Sequence, residues 1–279
     1  MTGAARLTAE QLQRLSAFVY RQTGMLFGET KRYYIERRLA ERYTATGIGD
    51  FASYLGHLRS DATERETLVN AFTINETYFY REEHQLACLS RALLPALIAT
   101  RRPGDKIRIW SLPCSTGEEA YSIAIWLLEN WRLVDAYNIE IIGSDIDTRA
   151  LEAAREGLYG ERALSRLPPR LRDCYFEPVR RHRRRIIRDL RESVSFAPAN
   201  LVDAASMAVH GVFDVIFCRN VLIYFDDESR LLAAGTLYDR LAPGGFLCLG
   251  HTESMSRISP RFEICRFEDA TVFQRPADA

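Results

Sequence analysis

The stretch 107-IRIWSLPCSTGEEAYSIAIWLLE-129 opens as an apolar run, breaks at Pro113-Cys114-Ser115-Thr116-Gly117 and resumes with helical periodicity. A strand that enters a helix through a turn of small residues is the opening unit of a ligand-binding α/β sheet. Two carboxylates, Glu118 and Glu119, stand in the first helical turn, where a phosphate site offers bare amides to an anion. A phosphate is repelled there. The chain also lacks G-x-G-x-x-G and G-x-x-x-x-G-K-[ST], so a dinucleotide or nucleoside triphosphate has no pyrophosphate cradle. Hydride transfer on a nicotinamide is left as a weak alternative.

Downstream the same rhythm recurs. Strand-like runs at 138–144, 193–197, 213–218 and 246–250 alternate with helical patterns at 148–158 and 227–241, which predicts a parallel sheet covered on both faces. The runs 262-FEICRF-267 and 270-ATVFQ-274 flank Glu268-Asp269 and read as a terminal hairpin, adding antiparallel strands to that sheet. Residues 159–192 are too long for an αβ connection and predict an inserted subdomain at about 160–192. Upstream, residues 1–85 read as helical throughout. Thr8 and Gln11 have capping-box spacing before Leu12, Leu15 and Val19, Ile35 and Leu39 share a line, and Asp50 and Asp61 stand where caps are needed. The expected organisation is an all-α domain over 1–85 and an α/β domain over 86–279.

Composition sets the boundaries of function. The 279 residues are 47% apolar, with 37 basic and 37 acidic side chains, a balance that argues against wholesale nucleic-acid binding. The fourth strand runs into Cys218-Arg219-Asn220-Val221 and not the [DN]-P-P-[YF] loop of amino-directed nucleic-acid methyltransferases. Tyr33, Tyr34, Tyr54, Tyr78, Phe79 and Tyr80 are expected to serve packing before base stacking. Six dispersed cysteines without a C-x-x-C pair predict reduced thiols, and the five histidines show no metal-ligand spacing. With no apolar run of about 18 residues and no signal-like N-terminus, a cytoplasmic protein without membrane insertion is expected.

In an open α/β sheet, ligands sit beyond the carboxyl ends of the strands. Asp145, ending the second strand, suits ribose hydroxyls, with capping of the next helix as its alternative use. Asn200 offers an amide to an adenine edge. A ligand with ribose, adenine, positive charge and no phosphate suits this set, and S-adenosylmethionine, with its α-ammonium and sulfonium, is the candidate. One of Glu118 and Glu119 then faces the ammonium while the other serves the helix dipole, with plain decoration of the first turn by both as the alternative.

At these residues the chain resembles the chemotaxis receptor methyltransferases, the CheR family. The shared stretches are 75-NETYFYRE-82, 115-STGEEAYSIAI-125, 144-SDIDTRALEAAREGLY-159, 213-FDVIFCRNVLIYFD-226 and 242-APGGFLCLGHTES-254, and the likeness extends over the N-terminal helices. The resemblance implies transfer of a methyl group from S-adenosyl-L-methionine to glutamate side chains of methyl-accepting receptors, giving γ-glutamyl methyl esters and S-adenosyl-L-homocysteine. It implies cofactor contacts from Asn75, Thr77, Arg81, Glu118 or Glu119, Asp145, Asn200, Leu201, Arg219 and Asn220, with Arg81 and Tyr224 as the catalytic pair. Family members that tether to a receptor C-terminal pentapeptide carry a glycine-containing loop in the inserted subdomain. Here 175-YFEPVRRHRRRII-187 has no glycine, so independence from that tether is expected. Lys31, Arg38 and Arg42 form a basic stripe for docking glutamate-rich receptor helices, with a solvated face as its alternative reading. The run Arg180–Arg185 is a candidate contact for acidic receptor surface or an anionic regulator. Competing readings are a cofactor-binding adaptor without catalysis and a methyltransferase for small molecules.

Overall fold

The computed structural model describes residues 6–179 and 182–277. Four helices open the chain: α1 (Ala9–Thr23), α2 (Arg32–Thr46), α3 (Phe51–Ser60) and α4 (Ala62–Phe72). Their starts are chemical. Thr8 and Gln11 exchange side-chain and backbone hydrogen bonds across the first turn of α1, and Asp50 and Asp61 accept amide protons at the starts of α3 and α4. The apolar lines Leu12–Leu15–Val19, Ile35–Leu39, Tyr54–Leu55–Leu58 and Leu68–Phe72 are buried together. α1 stops at Gly24, where a positive φ of 72° is needed and a Cβ would stand 2.6 Å from Val202 of the α/β domain. The bundle end therefore abuts that domain directly.

Helicity does not persist to residue 85. Residues 73–78 are extended and 79–82 form a turn with positive φ at Tyr80 and Glu82. The chain then runs through α5 (Glu83–Cys88), a π-helical turn at Leu89–Leu93 and α6 (Leu94–Ile98). Sequence periodicity did not single out this helix. Pro95 lies within it and lacks the amide the helical ladder needs.

The sheet contains β1 (Lys106–Ser111), β2 (Asn138–Asp145), β6 (Val194–Pro198), β7 (Phe213–Cys218), β8 (Leu241–Leu249), β9 (Glu263–Arg266) and β10 (Thr271–Gln274), in the order β6-β2-β1-β7-β8-β10-β9. The first five are parallel and the closing hairpin is antiparallel. Strand β8 begins five residues before the apolar run that signals it, taking in Pro243-Gly244-Gly245. Two-residue alternation divides the core. Trp110 and Leu247 join the cluster shared with the helical bundle, whereas Ile109 and Phe246 face α5, α6 and α7 (Glu118–Asn130) on the other side. The bundle thus serves as one cover of the sheet. Between α8 (Thr148–Glu156) and β6 lies a three-stranded sheet of β3 (Leu158–Gly160), β4 (Phe176–Val179) and β5 (Arg183–Ile186), with helices at Pro169–Tyr175 and Arg188–Ser193. Val179 pairs with Arg183, so three residues join β4 to β5.

Candidate functional site

The loop after β1 is held from beneath. Cys114 N donates to Ser144 O at 2.7 Å and Ser115 N to Asp145 Oδ2 at 2.8 Å, locking the loop to the end of β2. Gly117 has φ 93°, and a Cβ there would stand 2.9 Å from Ala154 Cβ, so only glycine lets the start of α7 press against α8. The two glutamates that follow separate at once. Glu118 is buried and accepts from Thr116 Oγ1 at 2.6 Å, and burial raises its pKa. Glu119 lines a cavity together with Thr77, Arg81, Arg219, Asn220 and Tyr224.

Those residues come from four places in the chain, and different contacts hold each. The turn 75–82 is pinned by Phe79, whose ring packs edge-on to Tyr159 and Phe176, and by Tyr80 N donating to Ser122 Oγ at 3.0 Å. With those residues inward, Thr77 and Arg81 face the cavity. Arg81 Nη1 donates to Glu76 O at 2.8 Å and its guanidinium lies 5.9 Å from the Tyr78 ring centre. Tyr224 closes a short 3-10 turn whose carbonyl accepts from Leu26 N of the bundle at 3.0 Å. Burial raises its phenol pKa, and the Arg81 charge acts in the opposite direction.

Beneath the cavity Arg219 is 5% exposed and bonds Glu119 at 2.7 Å, Glu82 at 3.1 Å and Arg81 O at 2.9 Å. Burial alone lowers an arginine pKa, but Glu119 and Glu82 outweigh it. Burial raises the Glu119 pKa against the opposing charge of Arg219. Burial also acts upward on Glu82, yet Arg219 and His251, the latter 3.1 Å away, hold it below its usual value. Two carboxylates share one guanidinium here. Glu119 brings a carboxylate to the cavity wall, which suits a ligand bearing ammonium charge better than a phosphate.

Glu253 was not foreseen. Its carboxylate accepts from the amides of Asn220 (2.7 Å), Val221 (3.0 Å), Leu222 (2.8 Å) and Gly250 (2.9 Å). It holds Asn220 at a positive φ of 60° and sets the turn that ends in Tyr224. Nothing in the local sequence pattern marks it, because its donors lie up to 33 residues upstream. Glu82 escaped notice for the same reason.

The other expected residues stand apart from this cavity. Asn75 bridges Ser115 Oγ (3.1 Å) and Asp147 Oδ2 (2.8 Å). Asp145 is buried at the tip of β2, accepting from Ser115 and Asp147 amides, and burial pushes its pKa up to about 6 against those two bonds. Each of its oxygens keeps a second lone pair beyond these bonds. Asn200 donates to Gln22 O of the bundle at 2.8 Å, and Leu201 is in the core. The basic stripe is corrected in part. Lys31 is exposed, and Arg38 is one-third exposed beside Glu41. Arg42 instead turns inward and grips the buried Glu64 with two bonds of 2.9 and 2.6 Å, because a nearby buried carboxylate outcompetes water for a guanidinium. Arg180 and Arg181 lie outside the described residues, while Arg184 and Arg185 on β5 pair with Asp173 and Glu156.

A parallel sheet with an antiparallel closing hairpin, an acid at the tip of β2 and a cavity after β1 and β7 define a class I S-adenosyl-L-methionine-dependent methyltransferase. The all-α cover narrows the class further. Residues 75–271 match the family described as CheR methyltransferase, SAM binding domain, and residues 10–73 match CheR methyltransferase, all-alpha domain. The chain belongs to the CheR methyltransferase family. It is 43% identical to chemotaxis protein methyltransferase 2 of Vibrio cholerae serotype O1, over 97% of this chain and 94% of that protein. It is 36% identical to chemotaxis protein methyltransferase 2 of Pseudomonas aeruginosa, over 90% and 89%. Against the chemotaxis protein methyltransferase of Escherichia coli it is 35% identical, over 95% and 91%. Among the described residues no helix is long and apolar enough to cross a membrane.

Proposed function

We propose that this enzyme methylates glutamate side chains of chemotaxis receptors, forming glutamyl methyl esters, and does so without a receptor C-terminal pentapeptide. The observation that carries the reading is the pairing of Arg81 and Tyr224 in one cavity with Glu119, Arg219 and Asn220. A glutamate carboxylate is ionised at neutral pH and needs no general base. Bound S-adenosyl-L-methionine supplies the activated methyl group. Arg81 orients the incoming carboxylate through its paired donors, and Tyr224 supplies a neutral phenol that positions the reacting groups. Holding them aligned and away from water supplies the rate.

For the cofactor we assign Glu119, which faces the cavity, to the ammonium, while Glu118 is engaged by Thr116. Asp145 takes the ribose, Asn75 and Thr77 give further cofactor contacts, and the Asn200-Leu201 and Arg219-Asn220 pairs complete the site. The absence of glycine from 175-YFEPVRRHRRRII-187 supports independence from the pentapeptide. Exposed Lys31 and the partly exposed Arg38 attract glutamate-rich receptor helices.

Receptor-containing membranes incubated with labelled cofactor test this directly, with label scored as base-released methanol. Equal labelling of receptors with and without their last five residues is expected. Label on tailed receptors alone would refute tether independence, and label on free small molecules but no receptor would refute the protein substrate.

A further inference from the structure

A groove leaves the catalytic cavity and runs between α2 and the inserted subdomain. The two share Ile74, Glu76 and Thr77, so the groove is continuous with the cavity that holds Arg81 and Tyr224. Its walls carry cations on both sides: Arg38 from α2 and Arg162 from the chain after β3. Its floor is partly apolar, with Tyr34, Ala163 and the half-exposed Ile74.

Arg162 is bound to Glu76, a carboxylate at the cavity mouth that also acts on the Tyr224 phenol. The two side chains are 84% and 68% exposed, so the pair is solvent-screened and gives way readily to a competing carboxylate. Across the groove, Arg38 Nε is buried with no hydrogen-bond partner among the described residues, although its Nη1 reaches Glu41.

We propose that this groove seats the acceptor segment flanking the target glutamate, and that Arg162 is a specificity-determining residue reading a second acidic side chain of that segment. Glu76 holds Arg162 in place until the substrate carboxylate displaces it. The occupant is an acidic receptor segment with one apolar face: the cations on both walls select its charge, the apolar floor takes its apolar side chains, and continuity with the cavity delivers one carboxylate to Arg81. The inference rests on the proposed function and names the substrate feature that function recognises.

Steady-state methyl transfer to receptor membranes tests it, using R162A, R162K and E76Q, with R166A as an exposed arginine of the same subdomain outside the groove. R162A is expected to raise KM for receptor about three- to fivefold with kcat nearly unchanged, and the lysine variant to recover part of the loss. E76Q is expected to lower KM, since the competing carboxylate is gone. The effect of R162A fades at high salt, as a screened charge contact must. If wild-type protein labels receptor and R162A has the wild-type KM, the groove assignment is overturned and the function stands. If wild-type protein labels no receptor, the function itself falls and takes the groove with it.

Discussion

Replacing Arg42 by alanine separates a structural arginine from a docking one. In the bundle Arg42 makes two bonds to Glu64, Tyr54 donates to the same carboxylate at 2.6 Å, and Glu64 is 5% exposed. Burial pushes the Glu64 pKa up, but Arg42 and Tyr54 outweigh it and hold the carboxyl below its ordinary value of 4.5. Breaking a buried pair costs about 3–5 kcal/mol because the survivor is a buried, uncompensated charge, and the 18% exposure of the Arg42 side chain lowers this to about 2–4 kcal/mol. The pH dependence carries a sign. An acid with a depressed folded pKa contributes stability that is present above its ordinary pKa and is lost as pH falls through the folded value. In R42A burial dominates, the Glu64 pKa rises, and the variant loses stability as pH rises. The deficit is therefore largest at neutral pH and narrows in mild acid. Urea unfolding at both pH values measures it, and R42M/E64M should recover part of the loss, since no charge is left behind although the buried Tyr54 hydroxyl loses its acceptor. A midpoint within about 0.5 kcal/mol of wild type, with a raised KM for receptor, would refute the reasoning and return Arg42 to the docking stripe.

Three further outcomes are expected. E253Q presents one carbonyl oxygen where four amides need acceptors, so it should lose about 2–3 kcal/mol of stability and lower kcat at least about tenfold by releasing the turn to Tyr224. A destabilised variant with full kcat would refute the positioning role. D145N removes a carboxyl whose folded pKa of about 6 lies above its ordinary value of 3.8. The stability this group contributes is present below 3.8 and lost as pH rises through 6, a change of about 3 kcal/mol, so the unfolding profile of D145N should be flatter across that window and its cofactor affinity weaker by calorimetry. G117A forces a Cβ against Ala154 at a positive φ and should cost about 1–3 kcal/mol with weakened cofactor binding, read by thermal unfolding with and without cofactor.

What the sequence determined by itself was local or periodic. The capping signals at Thr8, Asp50 and Asp61, the apolar lines of the four helices and the alternation of strands with helices are statements about neighbours a few residues apart. Neighbour spacing suffices to specify a helix or strand, and the order of these elements already implied a covered parallel sheet. The loop 113–117, the acids after it and Asp145 could be singled out because ligands sit at the strand ends of such a sheet. The rest was decided only when the chain closed on itself. Glu118 and Glu119 are indistinguishable in sequence, and a rotation of about 100° along the helix sends one to Thr116 and the other to Arg219, 100 residues away. Arg42 left its stripe because α4 brings Glu64 to it, 22 residues on. Glu253 acquired its role from amides on a strand-end turn that its own neighbourhood does not announce. The physical reason is common to all three: a charge or a free amide finds its partner by proximity in space. That proximity is set by the packing of the two core clusters on the sheet, not by spacing along the chain.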